Sequence, residues 1–239
     1  MPADNLRNWR LQLQKAADGS PIITSGGKAM VVSAGTAQKV ALKDSNGAAA
    51  SNPVSITRGQ IDFWVASSTQ TVDLYIMAPG GQFAVHRGVT ASGPNDLFID
   101  TIDRRQVAVI PFYHGDKAGD ATETDTGFDL PDQAIVMGRK DGNSLLVKVA
   151  DAAETIQVGT LSSESGGDAD GFMTDAATSV GTAGTVMPSA DGALVGSDVP
   201  YRTDAQTAKS ISWTLTAGSD TAEGFIFLNY QLNALAAGA

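Results

Sequence analysis

The residues with the clearest capacity for chemistry lie in an acidic, glycine-rich stretch, SSESGGDADGF, at positions 162–172. Glu164, Asp168 and Asp170 carry oxygen ligands of the kind that Ca²⁺ prefers, and they would suit a calcium-dependent sugar binder or a carbohydrate-active enzyme. An EF-hand, however, needs three alternating ligand positions and a glutamate at the twelfth, and only the two aspartates alternate here. Aspartates in such loops also form Asx turns. The sequence allows both interpretations; we expect the second, with no metal and no cofactor.

A nucleophile with its base is not evident from residue spacing. Cysteine is absent, and the histidines are His86 and His114, each at the end of an apolar run, where a side chain is usually solvated. The stretch SESGG at 163–167 has serine where a GxSxG nucleophile elbow has its first glycine. GGK at 26–28 is followed by alanine, so it does not match a phosphate-binding loop. We therefore expect no catalytic residues and a protein that is not an enzyme.

Charge and hydropathy exclude several partners. The 239-residue chain has 16 Lys and Arg against 26 Asp and Glu, a net charge of −10, which repels phosphate backbones and predicts no nucleic acid partner. No stretch approaches the roughly eighteen consecutive apolar residues of a membrane span, so we expect no membrane partner. The first residues, MPADNLRNWR, lack the apolar segment of a secretory signal, which predicts synthesis in a cytoplasm.

The elements that would position any site are predicted to be strands. Apolar residues recur with period two in QIDFWVA (60–66) and TVDLYIM (71–77), and GFIFLNYQL (224–232) is apolar enough for a central strand. Turn signals such as DGS at 18–20 and SNG at 45–47 separate such runs. We predict an all-β chain of two antiparallel β-sandwich or barrel-like domains with little helix.

Domain limits follow from a change in composition. Residues 90–106 mix glycine, proline and charge between two apolar blocks. We predict an N-terminal β-sandwich module over 1–90, a linker over 91–106 and a C-terminal β domain over 107–239. In the first domain, Trp64 is expected in the core, where its replacement by alanine would cost about 3–5 kcal/mol if the ring is buried.

The amino-terminal stretch LRNWRLQLQKA (6–16) fits two patterns. Leu6, Trp9 and Leu13 would share one face of a helix, whereas Trp9, Leu11 and Leu13 alternate as in a strand. We favour the strand because the alternation continues into the DGS turn. Residues 1–10 are either part of an ordinary first strand or a mobile arm that docks on a neighbour, and both descriptions can hold together.

A resemblance to a known family follows from ordered motifs. Residues 42–82, LKDSNGAAASNPVSITRGQIDFWVASSTQTVDLYIMAPGGQ, resemble a small β-sandwich module of virion proteins of tailed bacteriophages, and with WRLQLQKAADGSPI the resemblance covers about residues 6–89. TGFDLPDQAIV, TIQVGTLSSESGGDADGFM and GFIFLNYQL are similar to capsid decoration or cement proteins of marine and cyanobacterial phages. Residues 173–208 have few bulky apolar side chains and no matching segment.

The resemblance implies a decoration protein on the outer surface of the virion. Its expected partner is the major capsid protein at capsomer junctions, with a homotrimer as the unit and a host surface glycan as a further partner. We expect the first domain to face the capsid through Arg7, Trp9 and Arg10, because its amino terminus is less acidic than the second domain. The same module also occurs in tail fibres, so a fibre, adaptor or receptor-binding component of the tail is the alternative.

Overall fold

Alternating apolar residues form the strands of the computed structural model, which describes residues 6–66, 68–69, 71–90, 96–99, 105–152, 154–174, 178–198, 201–203, 209–216 and 221–232. In chain order the strands are β1 Leu6–Lys15, β2 Lys28–Ser33, β3 Leu42–Lys43, β4 Ala49–Ala50, β5 Val54–Ser55, β6 Gln60–Ala66, β7 Thr71–Met77, β8 Phe83–Thr90, β9 Asp96–Ile99, β10 Arg105–Tyr113, β11 Thr124–Leu130, β12 Ile135–Val136, β13 Ser144–Val149, β14 Ile156–Thr160, β15 Gly184–Val186, β16 Tyr201–Arg202, β17 Lys209–Leu215 and β18 Glu223–Gln231.

Helical structure in the described ranges consists of short 3₁₀ segments, which are His114–Asp116, Arg139–Asp141 and Ala193–Asp198. The all-β prediction is confirmed, since the described residues form several sheets of mostly antiparallel strands. The described part of the chain contains no helix with the length and hydropathy that a membrane span requires.

The chain divides into two compact units, residues 1–103 and 104–239. The stretch 91–106, predicted as a linker, contains β9, which belongs to the first unit. Strand β9 forms there because Leu97 and Ile99 are both buried in that unit's core, and it runs parallel to β1 over Gln12–Lys15.

The described residues of the first unit form two sheets. Sheet A has the order β4-β3-β6-β1-β9 and sheet B the order β5-β2-β7-β8. Buried side chains of both sheets form one core, since Trp9, Leu11 and Phe63 of sheet A join Val31 and Leu74 of sheet B in the same hydrophobic cluster. The two sheets therefore form a sandwich, as the sequence predicts.

The amino-terminal stretch forms a strand, which confirms the strand interpretation. Strand β1 pairs antiparallel with β6 from Leu6 opposite Ala66 to Gln12 opposite Gln60. Its burial alternates, with Trp9, Leu11 and Leu13 in the core. Residues 1–5 lie outside the described ranges, so the expected arm is described only from Leu6 onward, where it belongs to the sheet.

The expectation that Trp64 lies in the core is wrong. Ile61, Phe63 and Val65 are buried, and the alternation of β6 places Asp62 and Trp64 on the opposite face of sheet A, where Trp64 is half-buried. Successive residues of a strand point to opposite faces, so one tryptophan of this sheet is internal and the other lines the outer surface.

The described part of the second unit also forms two sheets. Strand β18 lies in the middle of sheet C, where it pairs with β10 and with β12 and β13, so the predicted central strand is confirmed. Sheet D has the order β11-β17-β14. The ring of Phe112 in β10 meets that of Trp213 in β17 edge-on at 6.4 Å, and both side chains are buried, so strands of the two sheets contact each other in the interior of the unit.

Candidate functional site

The acidic loop at 162–172 is held by the main chain. The N–H of Asp170 donates to Oδ1 of Asp168 over 3.4 Å, and the Glu164 carboxylate accepts the N–H of Ser210 at 3.2 Å from each oxygen. Across the ranges that the structure describes, no group of three or more His, Cys, Asp or Glu side chains is arranged to hold a metal ion. Asp168 thus accepts a main-chain donor two residues along, as in an Asx turn, whereas Glu164 accepts one from the distant Ser210.

Asp168 and Asp170 interact through their side chains. The hydrogen bond between the two carboxyl groups raises the pKa of Asp170 above its ordinary value, and partial burial and the charge of Asp168 add to this. Two carboxylates at one site cannot both ionise without repulsion. The pair therefore destabilises the folded state at neutral pH, where both groups tend to ionise.

Other carboxylates of the second unit also act as anchors. Glu123 accepts hydrogen bonds from Ser162 N–H at 3.1 Å, from Ser162 Oγ at 2.7 Å and from Ser212 Oγ at 2.6 Å. Glu154 is only 2% exposed and accepts one from Thr216 Oγ1 at 2.7 Å. Each carboxylate connects segments that are far apart in the sequence.

The first unit uses polar side chains in the same way. Asp73, 2% exposed, accepts the N–H of Gly35 at 2.9 Å and that of Gly88 at 2.8 Å. The amide of Asn52 accepts the N–H of Val31 at 3.0 Å and donates to two main-chain carbonyl oxygens at 2.7 and 2.9 Å. These side chains replace missing backbone partners, so the loops are fixed to the sandwich.

The two histidines lie in different units. His86 belongs to β8 and is opposite Leu74 in β7. His114 begins a 3₁₀ segment, its N–H donates to the carbonyl oxygen of Ala222, and its ring centroid lies 4.3 Å from that of Tyr113. The strand continues past His86 to Thr90, so His86 does not lie at a strand end, whereas His114 directly follows β10 as the sequence predicts.

The structure does not bring the predicted capsid contacts together. Trp9 is 2% exposed and stacks on Phe63 with the ring centroids 5.6 Å apart, so it belongs to the core. Arg7 shares the face of β1 that carries Trp9, whereas Arg10 lies on the outer face with its side chain 67% exposed. Trp9 is therefore unavailable as a surface contact, and the two arginines point to opposite faces of the strand.

A groove that the sequence did not predict lies on the outer face of sheet A. We call it the outer groove and define it by five of its lining side chains, which are Asn8, Arg10, Lys43, Asp62 and Trp64. Its volume is about 530 Å³. Cross-strand register builds it, because Trp64 is opposite Asn8 in β1 and opposite Lys43 in β3, while Arg10 is opposite Asp62.

Hydrogen bonds fix the floor of the outer groove. Asn8 Nδ2 donates to Asp62 Oδ1 over 2.6 Å, and Arg10 donates to Asp62 Oδ2 from Nε at 3.2 Å and from Nη2 at 2.9 Å. One carboxylate thus orients an amide and a guanidinium on the neighbouring strand. The alternation of β6 indicates that Asp62 and Trp64 share one face of the strand. Which residues of β1 lie beside them depends on the strand register, which the sequence does not reveal.

Comparisons with known proteins found little similarity. No family model matches the chain, and no curated protein matches it. Two solved structures of infectious bursal disease virus are similar. For the Gx strain the identity is 12% over 98% of this chain and 58% of that chain, with a TM-score of 0.24. For the Gt strain it is 11% over 96% of this chain and 56% of that chain, also with a TM-score of 0.24. The chain spans less than two thirds of either virus chain.

Proposed function

We propose that this chain is a structural protein of a virion that acts by binding and not by catalysis, and that it decorates the outer surface of a capsid at capsomer junctions. The observation that carries the proposal is the use of its polar side chains. Asp73, Glu123, Glu154 and Glu164 each bind main-chain N–H groups or hydroxyl groups of their own unit. The resemblance of residues 6–89 to a virion β-sandwich module supports the same proposal.

Anchored loops suit a protein that binds a lattice. A side chain or loop that is already ordered loses little entropy when it is immobilised between capsid subunits. Many weak contacts, repeated over a shell, then favour the assembled lattice over free subunits by mass action and multivalency. A homotrimer is the proposed unit because threefold positions of an icosahedral lattice accept closed threefold rings.

A binding experiment with viral heads tests the proposal. The purified full chain is added to heads of the virus that encodes it, prepared without it, and sedimented. We expect saturable binding to heads and none to free major capsid protein. A chain that stays in the supernatant at every concentration would contradict the proposal.

To test whether the amino terminus contacts the capsid, the truncation must be shorter than residues 1–10. Deleting through Arg10 would remove Trp9 from the core and five of the seven residue pairs between β1 and β6. A variant that lacks residues 1–5 leaves β1 whole. We expect this variant to bind heads more weakly if the amino terminus is the capsid contact, and as well as the full chain if another surface makes it.

The outer groove favours a second candidate, a receptor-binding or adaptor component of the tail. A concave site with an aromatic side chain and convergent polar groups is typical of ligand recognition. The copy number per virion separates the two candidates, since a head carries many decoration subunits and a tail carries few fibres.

A further inference from the structure

We propose that the outer groove binds an uncharged saccharide. The inference does not depend on the proposed binding to a capsid, because it rests on the first unit alone, and saccharide binding and head binding are measured with separate ligands. Its volume of about 530 Å³ lies within the range of small-molecule sites in proteins, about 300–1,000 Å³.

Trp64 supplies the apolar surface of the site. The indole is half-buried and lies between Asn8 and Lys43 in one cross-strand row. The side chains next to it in β6, Phe63 and Val65, are buried on the opposite face, so the strand that carries the indole is fixed by the core. An aromatic face placed among polar groups matches a sugar ring, which has an apolar C–H face and a polar edge of hydroxyl groups.

Asp62 and its neighbours supply the polar edge. Its carboxylate orients Asn8 and Arg10, with the Arg10 side chain 67% and the Asp62 side chain 42% exposed. A carboxylate accepts from several donors, and a guanidinium has five N–H donors, so this pair offers both kinds of partner to adjacent hydroxyl groups. Because the protein already holds the pair together, little ordering is needed when a ligand binds.

The charges of the groove favour an uncharged ligand. Arg10 and Lys43 are balanced by Asp44 and Asp62, which also line it. A polyanion would meet the carboxylates of Asp44 and Asp62 there. A polycation would meet the two basic side chains.

At Asp62 and Trp64 the groove disfavours an extended peptide. Peptides that add to a sheet bind at an edge, where main-chain N–H and C=O groups are unpaired. Ala50 of the edge strand β4 and Val54 and Ser55 of the edge strand β5 line one side of the groove, but Asp62 and Trp64 lie on β6, which pairs with β1 on one side and with β3 on the other. Recognition there must come from side chains, as it does for sugar hydroxyl groups.

The walls of the groove are built by local hydrogen bonds. Oδ1 of Asp44 accepts the N–H of Asn46 at 2.8 Å and that of Ala48 at 2.9 Å, which closes the turn between β3 and β4. Gly47 adopts a φ of +84° in this turn, a conformation that favours glycine. The turn therefore keeps one wall in place without a ligand.

Isothermal titration of the full chain tests the inference. The probes are maltohexaose, cellohexaose, mannohexaose and chitohexaose, with a heparin hexasaccharide as the charged comparison. We expect at least one uncharged probe to bind, and Trp64→Ala and Asp62→Ala each to weaken that binding by about tenfold or more. Trp64→Phe, which keeps an aromatic face, should lose less than Trp64→Ala.

The matched control is Gln60→Ala, an exposed change on the same strand and the same face, and it should leave the affinity unchanged. Circular dichroism and urea unfolding verify that each variant is folded, and Trp64→Phe keeps the test valid if the alanine variant is not. Failure of every uncharged probe to bind the folded wild type would overturn the inference. Binding of heparin alone, or equal affinity in Trp64→Ala, would overturn it as well.

Discussion

The unfolding free energies of Trp9→Ala and Trp64→Ala test which tryptophan of sheet A lies in the core and which lies on the outer surface. Trp9 is 2% exposed and stacks on Phe63, so Trp9→Ala leaves a cavity, and such changes cost about 3–5 kcal/mol. Among the described residues the Trp9 Nε1 atom has no hydrogen-bond acceptor, so its removal also relieves an unsatisfied group. We therefore expect the lower end of that range, about 3 kcal/mol.

Trp64→Ala should cost much less, about 1 kcal/mol, because the ring is half-buried on the outer face and water can fill the space that it leaves. Trp9→Phe is the matched control for the core. It keeps most of the ring and removes the unsatisfied N–H, so its cost should stay below about 1.5 kcal/mol.

Urea unfolding followed by circular dichroism measures these differences in the first unit, and thermal melting provides a second readout. For a unit of about 100 residues, about 3 kcal/mol corresponds to a fall of about 12–24 °C in Tm. The reasoning is refuted if Trp64→Ala lowers the unfolding free energy as much as Trp9→Ala does.

Changes at three further polar residues are tested by urea or thermal unfolding. Asn52→Ala should cost about 1–3 kcal/mol, and Asn52→Asp more, because a carboxylate would face two carbonyl oxygens; equal costs would contradict this. Asp73→Ala should cost about 2–4 kcal/mol, since two main-chain N–H groups lose their acceptor; a neutral effect would exclude the anchor. Asp170→Asn should raise Tm at pH 7, because the wild-type carboxyl, with its pKa raised by Asp168, favours the fold only when protonated. The gain should disappear as the pH falls through that pKa, and a gain at every pH would contradict the assignment.

Local patterns in the sequence were sufficient to predict much of the fold. Alternation in QIDFWVA identifies β6 and its buried residues Ile61, Phe63 and Val65, and the continuous apolar run near the carboxyl end identifies β18. Asp44 and Gly47 mark a turn because one accepts main-chain hydrogen bonds and the other adopts positive φ.

Contacts between distant residues required the structure. Period two groups Asp62 with Trp64, but only the register between β1 and β6 places Asn8 and Arg10 beside them. The pairing of β9 with β1 is parallel and long-range, so the stretch that contains it was predicted as a linker. Glu164 is likewise bound to the N–H of a residue 46 positions away, which no motif within the acidic loop indicates.

Quantitative mass spectrometry of purified virions, with the major capsid protein as the internal standard, tests the proposed function most directly. A decoration protein should be present in a fixed, small whole-number ratio to the capsid subunits, because it occupies a repeated position of the shell. Absence from the particle, or only a few copies in each, would contradict the proposal that this chain binds the capsid lattice.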